Sequence, residues 1–267
     1  MSTPPDPWSA LTRLTPARIA LGRTGASLPT REVLAFAHAH AQARDAVTTP
    51  FDSARTVGEI EALGLRAVEV ASAAVDRATY LRRPDLGRRL SEASRARLAQ
   101  AAKAPCDLAI VVADGLSSTA VHAHAAALLG ALQPLAEAAA WRLGPVAVAS
   151  QARVALGDEV GEILRARLVI LLVGERPGLS SPDSLGAYLT FAPRVGRTDA
   201  ERNCVSNIRG AGLSYPAAAF RIAWLAREGL RLGLTGVALK DDSDLEALSA
   251  PAARPESVLI ARGLPNL

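Results

Sequence analysis

Two short runs of apolar, largely β-branched residues constrain this chain most. Leu108 to Ala113 reads Leu-Ala-Ile-Val-Val-Ala, and Leu168 to Val173 reads Leu-Val-Ile-Leu-Leu-Val. Unbroken apolar runs of this length describe strands buried on both faces. Between them, Ser117 to Ala140 keeps Val121, Ala125, Leu128, Leu129, Leu132 and Leu135 on one helical face. Residues 146–149 and 187–191 read as further strands. Residues 158–165 and 216–232 read as helices, the last packed through Phe220, Ala223, Trp224 and Leu230. Strands alternating with helices imply βαβ units and right-handed crossovers. The expected fold is α/β: a Rossmann-like, mostly parallel sheet flanked by helices, with an N-terminal helical arm.

The flanks are less regular. Residues 9–28 read as an arm, and Thr30 to Ala46 as a helix capped by Thr30, with a thin stripe of Val33, Leu34, Ala37 and Ala41. Residues 57–65 and 91–102 read as helices and 65–71 as a strand. Residues 80–90 read as a loop in which Arg82, Arg83, Arg88 and Arg89 surround a Pro-Asp turn. That loop is either solvated surface or an interface or anion site. Glu201 to Gly210 reads as a polar loop. Residues 245–267 read as a loose extension with one edge strand at 257–261. The expected organisation is an arm and helical segment over 1–56, an α/β domain over 57–240 and an extension over 241–267.

Composition narrows the function classes. The chain has 267 residues, 49% hydrophobic and 21% charged, enough for a sizeable core. Aromatics are only 4%, which disfavours base stacking on single-stranded nucleic acid. The net charge is +4 and scattered, so no nucleic-acid partner is expected. Lys103 and Lys240 are the only lysines, and arginine suits planar anions and amides. Cys106 and Cys204 lie far apart with no CxxC, which fits a reducing compartment without a disulfide framework or structural zinc. The head, Met1 to Pro7, is polar and Pro-rich, unlike a secretory signal, and no apolar run is long enough to span a bilayer.

Ligands of open α/β sheets bind beyond the carboxyl ends of the strands. That rule nominates Asp114-Gly115-Leu116-Ser117 after one strand and Ser150-Gln151-Ala152-Arg153-Val154 after the next. It also nominates Gly174-Glu175-Arg176-Pro177-Gly178 after the strongest strand. Glu175 can accept from amide or hydroxyl donors and Arg176 can donate in a fork, unless the two simply pair on a surface turn. There is no P-loop, no GxGxxG and no G-x-S-x-G elbow. His38/His40 and His122/His124 are His-x-His pairs. On a helix such pairs diverge by roughly 200°, so neither chelates one metal. Cys204 has no nearby histidine and reads as a small buried hydrophobe.

These loops together resemble the small subunit of ethanolamine ammonia-lyase. The matching segments are Tyr80 to Leu90, Asp114 to Ser117, Val160 to Leu164, Val169 to Leu179 and Arg202 to Ile208. Arg18 to Gly25 and Pro29-Thr30-Arg31 match as well, so coverage runs from about residue 8 to about 240. The resemblance implies a lyase converting ethanolamine to acetaldehyde and ammonia. It implies a large TIM-barrel partner subunit in a hetero-oligomer, with ethanolamine and the catalytic side chains on that partner. It implies base-on adenosylcobalamin between the subunits, with this chain under its lower face. Val154, Glu175 and Cys204 carry over as cofactor contacts, and no catalytic or metal-binding residue carries over. No Asp-x-His-x-x-Gly is present, the motif by which other cobalamin proteins replace the nucleotide base. The arginine excess is expected at subunit contacts and around the nucleotide tail. The family implies a bacterial cytoplasm, with the bacterial microcompartment as its specialised site. The loop at 208–216 and residues 241–267 depart from the family pattern. Beside this stand two other readings: a stand-alone α/β enzyme using Asp114, Ser117, Glu175 and Arg176, and a noncatalytic interaction protein that keeps the fold.

Overall fold

The structure is a computed structural model that describes residues 7–15 and 17–244. Residues 245–267, with the strand expected at 257–261, lie outside the described residues. A short 3-10 segment, Pro7–Arg13, precedes α1 (Thr30–Thr48) and α2 (Ser53–Ala62). Then follow β1 (Ala67–Ala71), α3 (Arg77–Arg82), α4 (Glu92–Ala101), β2 (Cys106–Ala113) and α5 (Ser118–Ala138). After these come β3 (Val146–Ser150), α6 (Leu156–Ile163), β4 (Ala166–Gly174), β5 (Leu185–Phe191), β6 (Arg202–Ile208) and α7 (Tyr215–Leu232).

The six strands form one sheet in the order β1-β3-β2-β4-β5-β6. The first four are parallel, and β5 and β6 add to β4 as antiparallel neighbours. Alternate residues of β2 and β4 feed two cores. Leu108, Ile110, Val112, Leu168, Ile170 and Leu172 meet α2, α5 and α7 on one face. Ala109, Val111, Val169, Leu171 and Val173 meet α4 and α6 on the other. Burial on both sides explains why these strands are continuous apolar runs, each fully buried branched side chain contributing about 1.5–3 kcal/mol. No helix among the described residues is long and apolar enough to cross a membrane.

Several local expectations change. The cap position of α1 is Pro29, with no side-chain cap, and Thr30 is already helical. The helix buries Ala39 and Ala46, while Val33, Leu34 and Phe36 are exposed, so the expected stripe faces outwards. Residues 80–90 are not one loop: they hold the end of α3 and a 3-10 turn, Leu86–Arg88, that buries Gly87. The polar segment expected as a loop at 201–210 is the edge strand β6. A register shift opposite Leu185/Ala187 puts an extra residue into β6 between Val205 and Ile208, so that both enter the same core, and Arg202 is the third buried position. A bulge breaks the alternation by which a half-buried strand is recognised.

The antiparallel half is tied to α6 by a buried ion pair. Arg202 holds Asp158 through two bonds of 2.6 and 2.7 Å and donates to Thr190 Oγ1 at 2.8 Å and Arg197 O at 3.0 Å. Both side chains are almost wholly buried, at 3% and 2% exposure. Removing one partner strands the other charge. Arg202→Ala is therefore expected to lower the unfolding free energy by about 3–5 kcal/mol. The urea midpoint of the full chain measures this, and an unchanged midpoint would show that the pair does not hold the two halves together.

Candidate functional site

The chain leaves β2 into α5 on one face of the sheet and leaves β3 into α6 on the other. Neighbouring strands whose outgoing helices diverge open a crevice at their carboxyl ends. Here it is a cleft of about 390 Å³ lined by Tyr80, Gly115, Arg153, Val154, Glu175 and Tyr188, among others. Gly115 makes it possible: its φ is +56°, and a Cβ there would lie 2.2 Å from Gly174 O. Leu116 N–H then donates to Gly174 O at 2.9 Å, drawing the β2 and β4 ends together. Past Arg153, Val154 and Tyr188 the crevice continues into a wider cleft of about 620 Å³, lined by Arg88, Arg89, Asp158, Arg197 and Arg202.

The structure brings Val154 and Glu175 to the same cleft. Val154 is half-buried in the β3–α6 turn, where its carbonyl accepts from Gly157 N–H at 3.0 Å. Glu175 follows β4 directly. Its Oε2 accepts from Ser184 Oγ at 2.5 Å and from Asn207 N–H at 3.3 Å, and Oε1 accepts no hydrogen bond among the described residues. Glu175 does not pair with Arg176, which is exposed along the cleft. Cys204 is not a lining residue. It sits on β6 opposite Tyr188, exposed rather than buried, with Sγ 3.2 Å from Ser206 Oγ. Partial desolvation pushes its thiol up, and the neighbouring Glu175 charge acts the same way, so at neutral pH the sulfur is protonated and weakly nucleophilic.

Ser117 and the His122/His124 pair are committed to structure. Ser117 is fully buried, donating to Pro182 O at 2.9 Å and capping α5 through Ala120 N–H at 3.2 Å. His122 accepts from Asp52 N–H at 3.0 Å and stacks on Phe51. His124 lies 2.8 Å from Tyr215 Oη and 3.3 Å from Asp183 Oδ2. Sequence reasoning missed Tyr188, the wall shared by both clefts, and Arg77, which no local pattern marks. Arg77 donates to Gly115 O at 2.8 Å and to Asp114 Oδ2 at 3.4 Å.

Asp114 joins these loops from beneath. It is 1% exposed, and its Oδ1 accepts from Ala152 N–H at 3.0 Å. Burial, only partly offset by that amide and by Arg77, pushes the carboxyl up to about 6. The folded chain therefore holds this proton more tightly than the unfolded chain. The resulting stabilisation is full below the unfolded value and is lost as the pH rises through about 6, on the order of 3 kcal/mol for the complete titration. Asp114→Asn keeps an acceptor for Ala152 and removes the titration. Urea midpoints of this variant are expected to gain less than wild type between about pH 7 and about pH 4.5. Parallel pH curves for the two proteins would clear Asp114 of this role.

Comparison with known proteins places the chain in a family. A family model described as ethanolamine ammonia-lyase light chain (EutC) matches residues 5–240. An ethanolamine ammonia-lyase small subunit from Bradyrhizobium diazoefficiens is 62% identical over 243 residues, covering 91% of this chain and 93% of that protein. Small subunits from Pseudomonas aeruginosa and Xanthomonas campestris are each 55% identical. They cover 96% and 97% of this chain, and 95% and 98% of their own lengths. This chain belongs to the ethanolamine ammonia-lyase small-subunit family.

Proposed function

We propose that this chain is the cofactor-holding half of an adenosylcobalamin-dependent ethanolamine ammonia-lyase, active only when paired with a large TIM-barrel subunit that binds ethanolamine. The observation that carries the reading is the crevice itself. It sets Val154 and Glu175 on one cleft, with the Tyr188–Cys204 strand pair beside them. The donor set fits a corrin, whose rim carries amide side chains. Glu175 Oε1 is a free acceptor facing no protein donor among the described residues, and a carboxylate accepts strongly from amide N–H. Arg153 Nε is buried with no acceptor among the described residues, a donor left for a bound group to satisfy.

When bound, adenosylcobalamin supplies the radical chemistry. This chain's residues orient and shield. Glu175 is fixed by Ser184 and Asn207 so that its second oxygen accepts an amide proton. Val154 presents apolar surface or its backbone, and the protonated Cys204 gives a soft, unreactive contact. The sequence has no Asp-x-His-x-x-Gly motif, and the reading therefore takes the cofactor as base-on. The exposed Leu28, Val33, Leu34 and Phe36 on and before α1 offer apolar surface to a partner subunit.

Reconstitution with the large subunit and adenosylcobalamin, followed by ammonia release from ethanolamine, tests the reading. Silence from an assembled, cobalamin-loaded complex would overturn it. Glu175→Ala is expected to weaken cofactor affinity about tenfold or more, the worth of one charge-assisted hydrogen bond, with subunit assembly intact. Unchanged affinity in a spectroscopic titration would remove Glu175 from the site.

A further inference from the structure

Of the four arginines between residues 82 and 89, two are already engaged. Arg83 holds Asp85 through bonds of 2.7 and 2.9 Å, and Arg82 Nε donates to Ala78 O at 3.3 Å. Arg88 and Arg89 make no side-chain hydrogen bond or ion pair among the described residues, and both line the 620 Å³ cleft. Arg153 lines it too, with its Nε unsatisfied. Five arginines border this cleft against two aspartates, Asp158 and Asp199, and both aspartates are bonded to Arg202. Arg197 pairs with Glu201, which leaves Arg88, Arg89 and Arg153 without a carboxylate partner among the described residues.

The turn that carries Arg88 and Arg89 is firmly seated. Gly87 leaves no room for a side chain: a Cβ would lie 3.0 Å from Tyr80 Cδ2 and 3.1 Å from Arg153 Cγ. Arg153 N–H donates to Gly87 O at 2.8 Å, and Arg153 Nη2 to Tyr80 O at 3.1 Å. The fully buried Tyr80 ring packs against the guanidiniums of Arg77 and Arg153 at 4.7 and 4.6 Å. The seated turn fixes the backbone positions of Arg88 and Arg89, so an incoming anion has only their side-chain rotamers to order. Their planar forks match the oxygens of a phosphate ester.

We infer that Arg88, Arg89 and Arg153 form a subsite for a phosphodiester carried by the ligand that the adjoining cleft holds. The assignment rests on the cofactor reading above and sharpens it. Adenosylcobalamin carries one phosphodiester, in the arm that links the corrin to its nucleotide base, and the two clefts adjoin at Arg153, Val154 and Tyr188. A free phosphate ion would meet the same chemistry, so the test separates the sources.

The two-subunit complex is titrated with adenosylcobalamin and with adenosylcobinamide, which lacks the phosphate and the base, and inorganic phosphate is added as competitor. Arg88→Gln/Arg89→Gln is expected to weaken adenosylcobalamin about tenfold or more while leaving adenosylcobinamide affinity, assembly and thermal midpoint unchanged. Added salt should erode the cobalamin affinity of wild type more than that of the variant. Equal losses for both corrinoids, or no loss for either, would overturn the subsite. So would inorganic phosphate binding that the substitutions abolish while cobalamin affinity stays intact, since the site would then serve a free anion. Wild-type complex that binds neither corrinoid would instead defeat the cofactor reading itself, and the subsite with it.

Discussion

The carboxyl end of this sheet depends on one buried carboxyl group, Asp114. Asp114 has no water to satisfy it, so it draws in the Ala152 amide from the β3 turn and the Arg77 guanidinium from α3. Three strand-end loops thereby converge on one group. Arg77 extends the junction by bonding Gly115 O, in the same turn that presses against Gly174. The crevice above is the space left over when these loops meet and their outgoing helices part. Its walls are fixed by hydrogen bonds to a group that is expensive to bury, so errors in one loop are felt by the others.

The parallel core was legible because its physics is one-dimensional. A strand covered on both faces must be apolar throughout, and β2 and β4 are. The carboxyl ends of β3 and β4 then nominate the loops that hold Val154 and Glu175, and those two residues do share a cleft. What escaped the sequence depends on pairing. The alternation of β6 is broken by a bulge, and Arg202, a charged residue, is one of its three buried positions, satisfied by Asp158 from a helix 44 residues away. Likewise Tyr80 and Gly87 form a buried contact beneath a segment whose arginines make it read as solvent-facing loop. Exposure of Cys204 follows from the same edge position, where one face of the strand has no helix to cover it.

The chemistry of the chain is that of a holder. Ser117, one of the residues of the stand-alone reading, is a helix cap, and the thiol of Cys204 stays protonated. What remains available at the crevice is an acceptor on Glu175 and donors on the arginines, groups that recognise amides and anions. Such groups suit binding and orientation rather than bond breaking.

The mixed sheet also divides the folding process. β4, β5 and β6 are successive neighbours, and only residues 175–184 separate the first pair. The parallel half must bring β2 beside β4 with α5, β3 and α6 between them in the chain. Loop-closure entropy therefore weighs less on the hairpin half than on the parallel half. Ser184 and the Asn207 amide, the partners of Glu175, both belong to the hairpin half. The orientation of the acid thus rests on short-range closures, while the crevice around it rests on long-range ones.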